Sequence, residues 1–380
     1  MTFSATQADF RVGIAQADDW HMAAADILRQ IGTPTALHRL GIIYVSSAYA
    51  HNMSDIEVFF RQTTGVPHWV GCVGHGVLTH REEIFEAPAM TAMLCPIPED
   101  GFHVLKEIHE DTEPGLSHAS SWLSQVDVPL ALIHADPSNN VIPGLLQDIT
   151  LESSAYLVGG LTSTMGEGSQ LADGLEGKGI SGVMFSNRIA PMITGLTQGC
   201  SPIGPIHRVT ESEDNILISL DNRPALEVFK EEIGDILSRD LEKVAGYIFS
   251  ALPVEGSDKG DYMVRNILAI DPGQQMIAIG AELEPGDEVL FCKRDTETAE
   301  EDLRRLLKDL RVRAGTSPIK GGVYINCAGR GPNQFGGNSR EMEIIREELG
   351  DNVPITGFFA NGEVSYDRLY SYTGVLTLFL

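Results

Sequence analysis

Apolar and polar positions alternate along this chain in two rhythms, and the rhythm predicts the elements. Residues 10–17 read as a short strand. A helix follows, with Trp20, Ala24, Ile27, Leu28 and Ile31 on one face and Asp18 or Asp19 at its start. Residues 41–45 are an apolar strand. Ser54 opens a second helix with Glu57 three residues on, the spacing of a capping box, and Ile56, Phe59 and Phe60 form its buried side. A glycine-interrupted strand covers 70–78. Further strands are expected near 91–97, 102–108, 128–134, 155–161, 180–186 and 192–197, with acidic turns at 98–101 and 110–115.

Residues 215–220 read as a strand, 221–222 as a turn, and Pro224 as the first position of a helix to about Leu237. Strands are expected near 246–252, 262–270, 275–281 and 287–293. A charged helix spans about 298–313, buried through Leu303, Leu306, Leu307 and Leu310. Strand 323–327, helix 340–349 and strands 354–359 and 374–380 complete the chain. The pattern predicts an α/β fold of two related domains, 1–222 and 223–380, with mixed β-sheets flanked by helices.

The same unit recurs. Residues 41–78 run GIIYVSSAY, a helix, then VPHWVGCVGHGVL; residues 321–364 run GGVYINCAGR, a helix, then VPITGFFANGEV. Aligning Tyr44 with Tyr324 sets Ser47 opposite Cys327. Gly71 and Gly76 keep the separation of Gly357 and Gly362. A looser third copy covers 128–166, with Asp136 just past its first strand. Each copy is strand, polar loop, helix, glycine-rich strand end.

Composition narrows the function. The 380 residues are 43% hydrophobic and 21% charged, an ordinary folded composition. The formal charge is −26, with 53 acidic against 27 basic residues, and acidic residues outnumber basic ones in both halves. Nucleic acid and anionic membrane surfaces need clustered Lys and Arg, so neither is an expected partner. No apolar stretch approaches the roughly 20 residues that span a bilayer, and the first residues lack a basic start and apolar core. Five widely spaced cysteines without a CxxC pair suggest neither a disulfide framework nor structural zinc. A cytoplasmic location is expected. All eleven histidines lie at or before His207, with no HxH or HExxH spacing.

In α/β sheets, polar loops beyond the strand ends form the binding crevice, and glycines there let backbone amides approach a ligand. The repeat gathers Ser47, Gly74, His75, Gly76, Gly159, Gly160, Cys327, Arg330, Asn361 and Glu363 at comparable loop positions. Turns and bulges are the alternative use of these glycines. Arg330, between two glycines, suits bidentate grip of a carboxylate; a salt bridge within the protein is the alternative. Glu363 suits a ligand ammonium or a loop cap. Cys327 would need a histidine base from the first half, such as His75 or His134, to act as a nucleophile.

These residues resemble the FIST family, a two-part sensory module (FIST N and FIST C) of signal-transduction proteins. LGIIYVSSAY, WVGCVGHGVL and SSAYLVGGLTS are similar to FIST N. Residues 259–280, LFCKRDTETAEEDL (290–303), NCAGRG (326–331) and ITGFFANGEV (355–364) are similar to FIST C. The resemblance implies intracellular sensing of a small, amino-acid-like molecule without catalysis. Output would pass to a separate signalling protein such as a histidine kinase. Some members resemble haem-based nitric-oxide sensors, which makes haem on a first-half histidine the alternative cofactor. A Cys327-dependent enzyme at the domain interface is a further alternative.

Overall fold

The computed structural model describes residues 9–164, 169–237, 241–244, 246–254 and 262–380. Residues 1–8, 165–166 at the end of the 128–166 copy and 259–261 of the FIST C segment lie outside the described residues. The chain forms two compact units. The first is Met1–Thr197, Glu300–Leu369 and Thr373–Leu380; the second is Gln198–Ala299 with Tyr370–Tyr372. Residues 222 and 223, where the pattern divides the chain, both fall inside the second unit.

The first unit is one motif written three times. The first copy runs β1 (Arg11–Gln16), α1 (Trp20–Ile31), β2 (Leu40–Ser46), α2 (Met53–Thr64), β3 (His68–Gly74), β4 (Gly76–Thr79), β5 (Glu83–Phe85) and β6 (Ala89–Cys95). The second runs β7 (Phe102–Ile108), α3 (Glu113–Leu123), β8 (Leu130–Ala135), α4 (Ile142–Ser153), β9 (Tyr156–Leu161), β10 (Gln170–Ala172), β11 (Leu175–Glu176) and β12 (Ile180–Phe185). The third opens with β13 (Met192–Gln198).

The second unit's segment then interrupts the third copy. It carries β14 (Cys200–Pro202), β15 (His207–Glu213), β16 (Ile216–Leu220), β17 (Arg223–Pro224), α5 (Ala225–Leu237), β18 (Ile248–Pro253), β19 (Tyr262–Arg265), β20 (Ile267–Asp271), β21 (Met276–Ile279) and β22 (Glu288–Arg294), whose strands form a nine-stranded sheet. The third copy resumes with α6 (Thr296–Ala314), β23 (Gly321–Cys327), the single turn α7 (Pro332–Phe335), α8 (Arg340–Leu349), β24 (Ile355–Ala360), β25 (Glu363–Ser365), β26 (Arg368–Tyr370) and β27 (Thr373–Phe379).

Three six-stranded sheets result, in the orders β1-β6-β2-β3-β10-β11, β7-β12-β8-β9-β25-β26 and β13-β27-β23-β24-β4-β5. The sheets trade strands in a cycle. β4 of the first copy joins the third copy's sheet, β25 of the third joins the second's, and β10 of the second joins the first's. Each helix-linked pair, β2–β3, β8–β9 and β23–β24, is parallel, as a crossover helix requires. One core is filled from the inner faces of all three sheets, including Tyr44, Val70, Leu132, Val158, Ile325 and Phe358. Separate clusters seat the outer helices of the first two copies. The expected mixed sheets with flanking helices are therefore present, but the repeat is threefold, with the 128–166 copy as regular as the others.

The register corrects the alignment read from sequence. Ile43 lies opposite Gly71, Ile133 opposite Gly159 and Tyr324 opposite Gly357. Tyr324 therefore matches Ile43, not Tyr44, and Cys327 matches Ser46 and Asp136. A one-residue shift moves a strand side chain to the other face. Tyr44 accordingly packs in the central core, whereas Tyr324 bonds Glu341 of α8. The glycine has one physical reason in all three copies. A Cβ on Gly71, Gly159 or Gly357 would stand 1.7, 1.9 or 1.8 Å from the carbonyl oxygen opposite. The capping box expected at Ser54 is not made: Asn52 is the N-cap, without a side-chain cap bond, and Glu57 pairs with Arg61.

Candidate functional site

The symmetry defines a ring at the C-terminal strand ends. His75 N–H donates to the Phe359 carbonyl (2.9 Å), Ser163 N–H to the Val73 carbonyl (2.9 Å) and Asn361 N–H to the Leu161 carbonyl (3.0 Å). These are the same bond in three copies, each at the point where a chain crosses to the next sheet. Ser47 joins the ring: its hydroxyl lies 3.1 Å from the Ser163 hydroxyl and donates to the Gly74 carbonyl (3.4 Å). Ser47 and Asn361 are exposed, and His75 and Ser163 are half-buried.

The glycines chosen from sequence are built into this crossing rather than left open. Gly159 and Gly160 pair with β8 on one side and with Val364 and Glu363 on the other. A Cβ on Gly76 would meet the Ile84 carbonyl at 2.5 Å, and one on Gly74 the Gly76 carbonyl at 2.8 Å. Their amides belong to tight backbone packing, the alternative use noted above.

Each copy also needs a group to hold the start of its last strand. In the first, the Ser46 hydroxyl accepts from Ala89 N–H (3.0 Å); in the second, Asp136 accepts from Lys178 N–H (3.0 Å). In the third, the matching residue is Cys327, and Glu363 takes over. One Glu363 oxygen accepts from Thr373 N–H (3.2 Å) and Thr373 hydroxyl (2.7 Å). The other oxygen, Oε1, is buried without a hydrogen-bond partner among the described residues. Burial pushes the Glu363 carboxyl up to about 8, although Thr373, the Cys327 thiol and Arg330 pull it down. It is therefore mostly protonated at neutral pH.

Arg330 departs from the expectation of an open carboxylate grip. It is fully enclosed, and its partner is Glu341, in the first turn of α8 on its buried side. The Arg330 Nη2 group donates to Glu341 at 2.6 Å, and Nε lies 3.1 Å from the Asn326 amide oxygen. Tyr324 hydroxyl (2.6 Å) and Asn326 amide (2.7 Å) also donate to Glu341. The pattern missed Glu341 because it sits in the charged run REMEIIREEL. The signal lay in the alternation of Tyr324 and Asn326 with the apolar side chains of β23.

Glu83 of β5 stands beside this pair. Its oxygens are buried without a hydrogen-bond partner among the described residues. Burial and the Glu341 charge push it up to about 8 against the opposing pull of Arg330.

Neither His134 nor His68 is free to ligate a haem. His134 is sealed in the core, with Nε2 3.2 Å from the Tyr44 hydroxyl. His68 is held from both sides, Nδ1 by Asp173 and Nε2 by Glu99, at 2.6 Å each. The cleft that His68 shares with His103 and His118 also carries the carboxylates of Glu99, Glu107 and Asp173, which would repel haem propionates. No group of three or more His, Cys, Asp or Glu is arranged to hold a metal ion among the described residues. No helix among them is long and apolar enough to cross a membrane.

The FIST N domain matches residues 39–223 and the FIST C domain residues 225–366. Their junction lies inside the second unit, so the two matched halves are not the two compact bodies. The uncharacterized protein Rv0628c of Mycobacterium tuberculosis is 27% identical, over 97% of this chain and 99% of its own length. The uncharacterized protein Mb0898c of Mycobacterium bovis is 25% identical, over 97% of this chain and 98% of its own. The chain belongs to the FIST family, built from FIST N and FIST C sensory domains.

Proposed function

We propose that this protein senses a small amino-acid-like molecule at the strand-end ring and performs no catalysis there. The observation that carries the reading is one crossing repeated three times at the strand ends, with the Ser47 and Ser163 hydroxyls in contact and Asn361 two residues before a carboxyl that keeps an unpartnered buried oxygen. Ligands of α/β proteins bind outside the carboxyl ends of strands, where this ring lies. Hydroxyl and amide groups of Ser47, Ser163 and Asn361 would receive the polar groups of the ligand, and a ligand ammonium reaching Glu363 would displace the proton that burial keeps on that carboxyl at neutral pH, so binding would release a proton. Arg330 enters this reading as the residue that fixes the 328–339 loop through Glu341. Cys327 serves as a small buried neighbour of Glu363. A carboxyl protonated at neutral pH is a poor base for drawing a proton from the thiol, which speaks against nucleophilic chemistry.

A thermal-shift screen of amino acids, organic acids and amines tests the reading. A ligand at 100 times its Kd stabilises the fold by about 2.7 kcal/mol. A hit should be weakened by Asn361→Ala and by Glu363→Gln, with folding preserved in both. A hit that binds both variants unchanged would refute the placement. Output through a separate signalling protein, with a histidine kinase as one candidate, is part of the same proposal. Co-purification that depends on the ligand would support it.

A further inference from the structure

A concave surface stands apart from the ring, between β7 and α3. It is a cleft of about 510 Å³, within the roughly 300–1,000 Å³ typical of small-molecule sites. Phe102, Val104 and Trp122 give it an apolar wall. The His103 ring lies 5.6 Å from the Trp122 ring at 30°, and the His68 ring meets Phe102 edge-on at 5.4 Å. The wall is thus largely flat rings.

The polar lining is Glu99, Asp173, Glu107 and Lys106 with the imidazoles of His68, His103 and His118. Glu99 and Asp173 are occupied: both hold His68, Glu99 also accepts from Arg39 (2.8 Å), and Asp173 from Trp69 N–H (2.9 Å). Glu107 is different. Its contact is a 3.3 Å approach of one oxygen to His118, with the His118 side chain exposed and that of Glu107 half-buried.

The backbone singles out Glu107 as well. Pairing of β7 with β12 slips here, from Ile108 opposite Ile180 to Leu105 opposite Gly182, so Lys106 and Glu107 face a single residue. Such a bulge re-aims side chains. Glu107 has φ 63°, the left-handed conformation that an ordinary residue adopts at a cost.

We propose that this cleft binds a small organic ammonium compound with a flat apolar body, the body against Trp122 and Phe102 and the cation on Glu107. Three carboxylates line the cleft against one lysine and three imidazoles, of which His68 is doubly held, and Glu107 is the carboxylate left for a ligand cation. The chain's charge of −26 favours approach of cations over anions. Aromatic faces attract cations through the ring quadrupole, which makes Trp122 a second reason for a positive ligand.

Calorimetric titration with phenethylamine, and with 2-phenylethanol as its neutral counterpart of similar shape, tests the proposal on the full chain. Phenethylamine should bind about tenfold tighter than the alcohol, the scale of one hydrogen bond to a charged group. Glu107→Gln should erase that preference, and Trp122→Ala should weaken both probes, with unchanged circular dichroism in each variant. Equal affinity for both probes, or no binding of phenethylamine at millimolar concentration, overturns it. Binding that survives Glu107→Gln and Trp122→Ala but is lost in Glu363→Gln also overturns it and moves the amine to the strand-end ring.

Discussion

Glu363 and His134 are buried ionisable residues that push stability in opposite directions with pH. Glu363 ionises near its ordinary value of 4.5 when unfolded and at about 8 when folded. As pH rises from 4.5 to 8 the unfolded state loses a proton that the folded state keeps, so stability falls through that window. Glu363→Gln removes the slope. Its stability relative to the parent should therefore rise progressively from pH 5 to pH 8, by an amount on the order of a few kcal/mol at most, read from urea titrations. His134 is pushed down to about 3 by burial. Its cost appears as pH falls from 6.5 toward 3, when the unfolded imidazole takes a proton that the folded one refuses. His134→Phe should flatten that acid limb in urea titrations.

Arg330 makes a third case at this scale. Removing it leaves Glu341 buried and uncompensated, so Arg330→Met should cost about 3–5 kcal/mol, and Arg330→Met with Glu341→Leu should recover much of the loss. Equal stability of the single and double variants in urea titration would contradict this. The sequence marked Arg330 and Glu363 as charges among glycines. It could not say that one would be matched inside the protein and the other left with a bare oxygen. That depends on which helix side packs over β23.

Among the elements, most strands and helices followed from the rhythm of apolar positions, because each has one face to bury. The errors have local causes. The 262–270 segment is two strands, Tyr262–Arg265 and Ile267–Asp271, on different parts of the same sheet. The capping box failed because Asn52, not Ser54, precedes the first helical turn of α2. The one-residue slip between Tyr44 and Tyr324 arose from matching the two tyrosines by type, although Tyr44 faces the central core and Tyr324 faces Glu341 of α8.

Glycine shows how unequal two similar elements can be. Gly357→Ala would press a methyl against the Tyr324 carbonyl and should destabilise by about 1–3 kcal/mol or more. Gly144 in α4 has open space around its Cβ, and Gly144→Ala should stabilise by about 0.5–1 kcal/mol. Thermal melts of the two variants should therefore shift in opposite directions.

At the scale of the whole molecule, the negative charge is a long-range property that needs no particular contact. If a cationic ligand is steered by it, the association rate should fall as salt rises past about 0.1 M, where the screening length is about 10 Å, while a neutral ligand's rate stays flat. Stopped-flow measurement at two salt concentrations separates the cases. The sequence by itself determined the α/β class, the recurring strand–helix–strand unit, the acidic charge and the family, because these follow from periodicity, composition and local motifs. Only the tertiary structure decided that the three copies surround one core, that the sheets exchange strands in a cycle, and that residues 198–299 interrupt the third copy. The physical reason is that pairing between distant strands is set by which backbone edges meet and which faces bury. Gly71, Gly159 and Gly357 look like ordinary turn glycines until the carbonyls opposite them are in place.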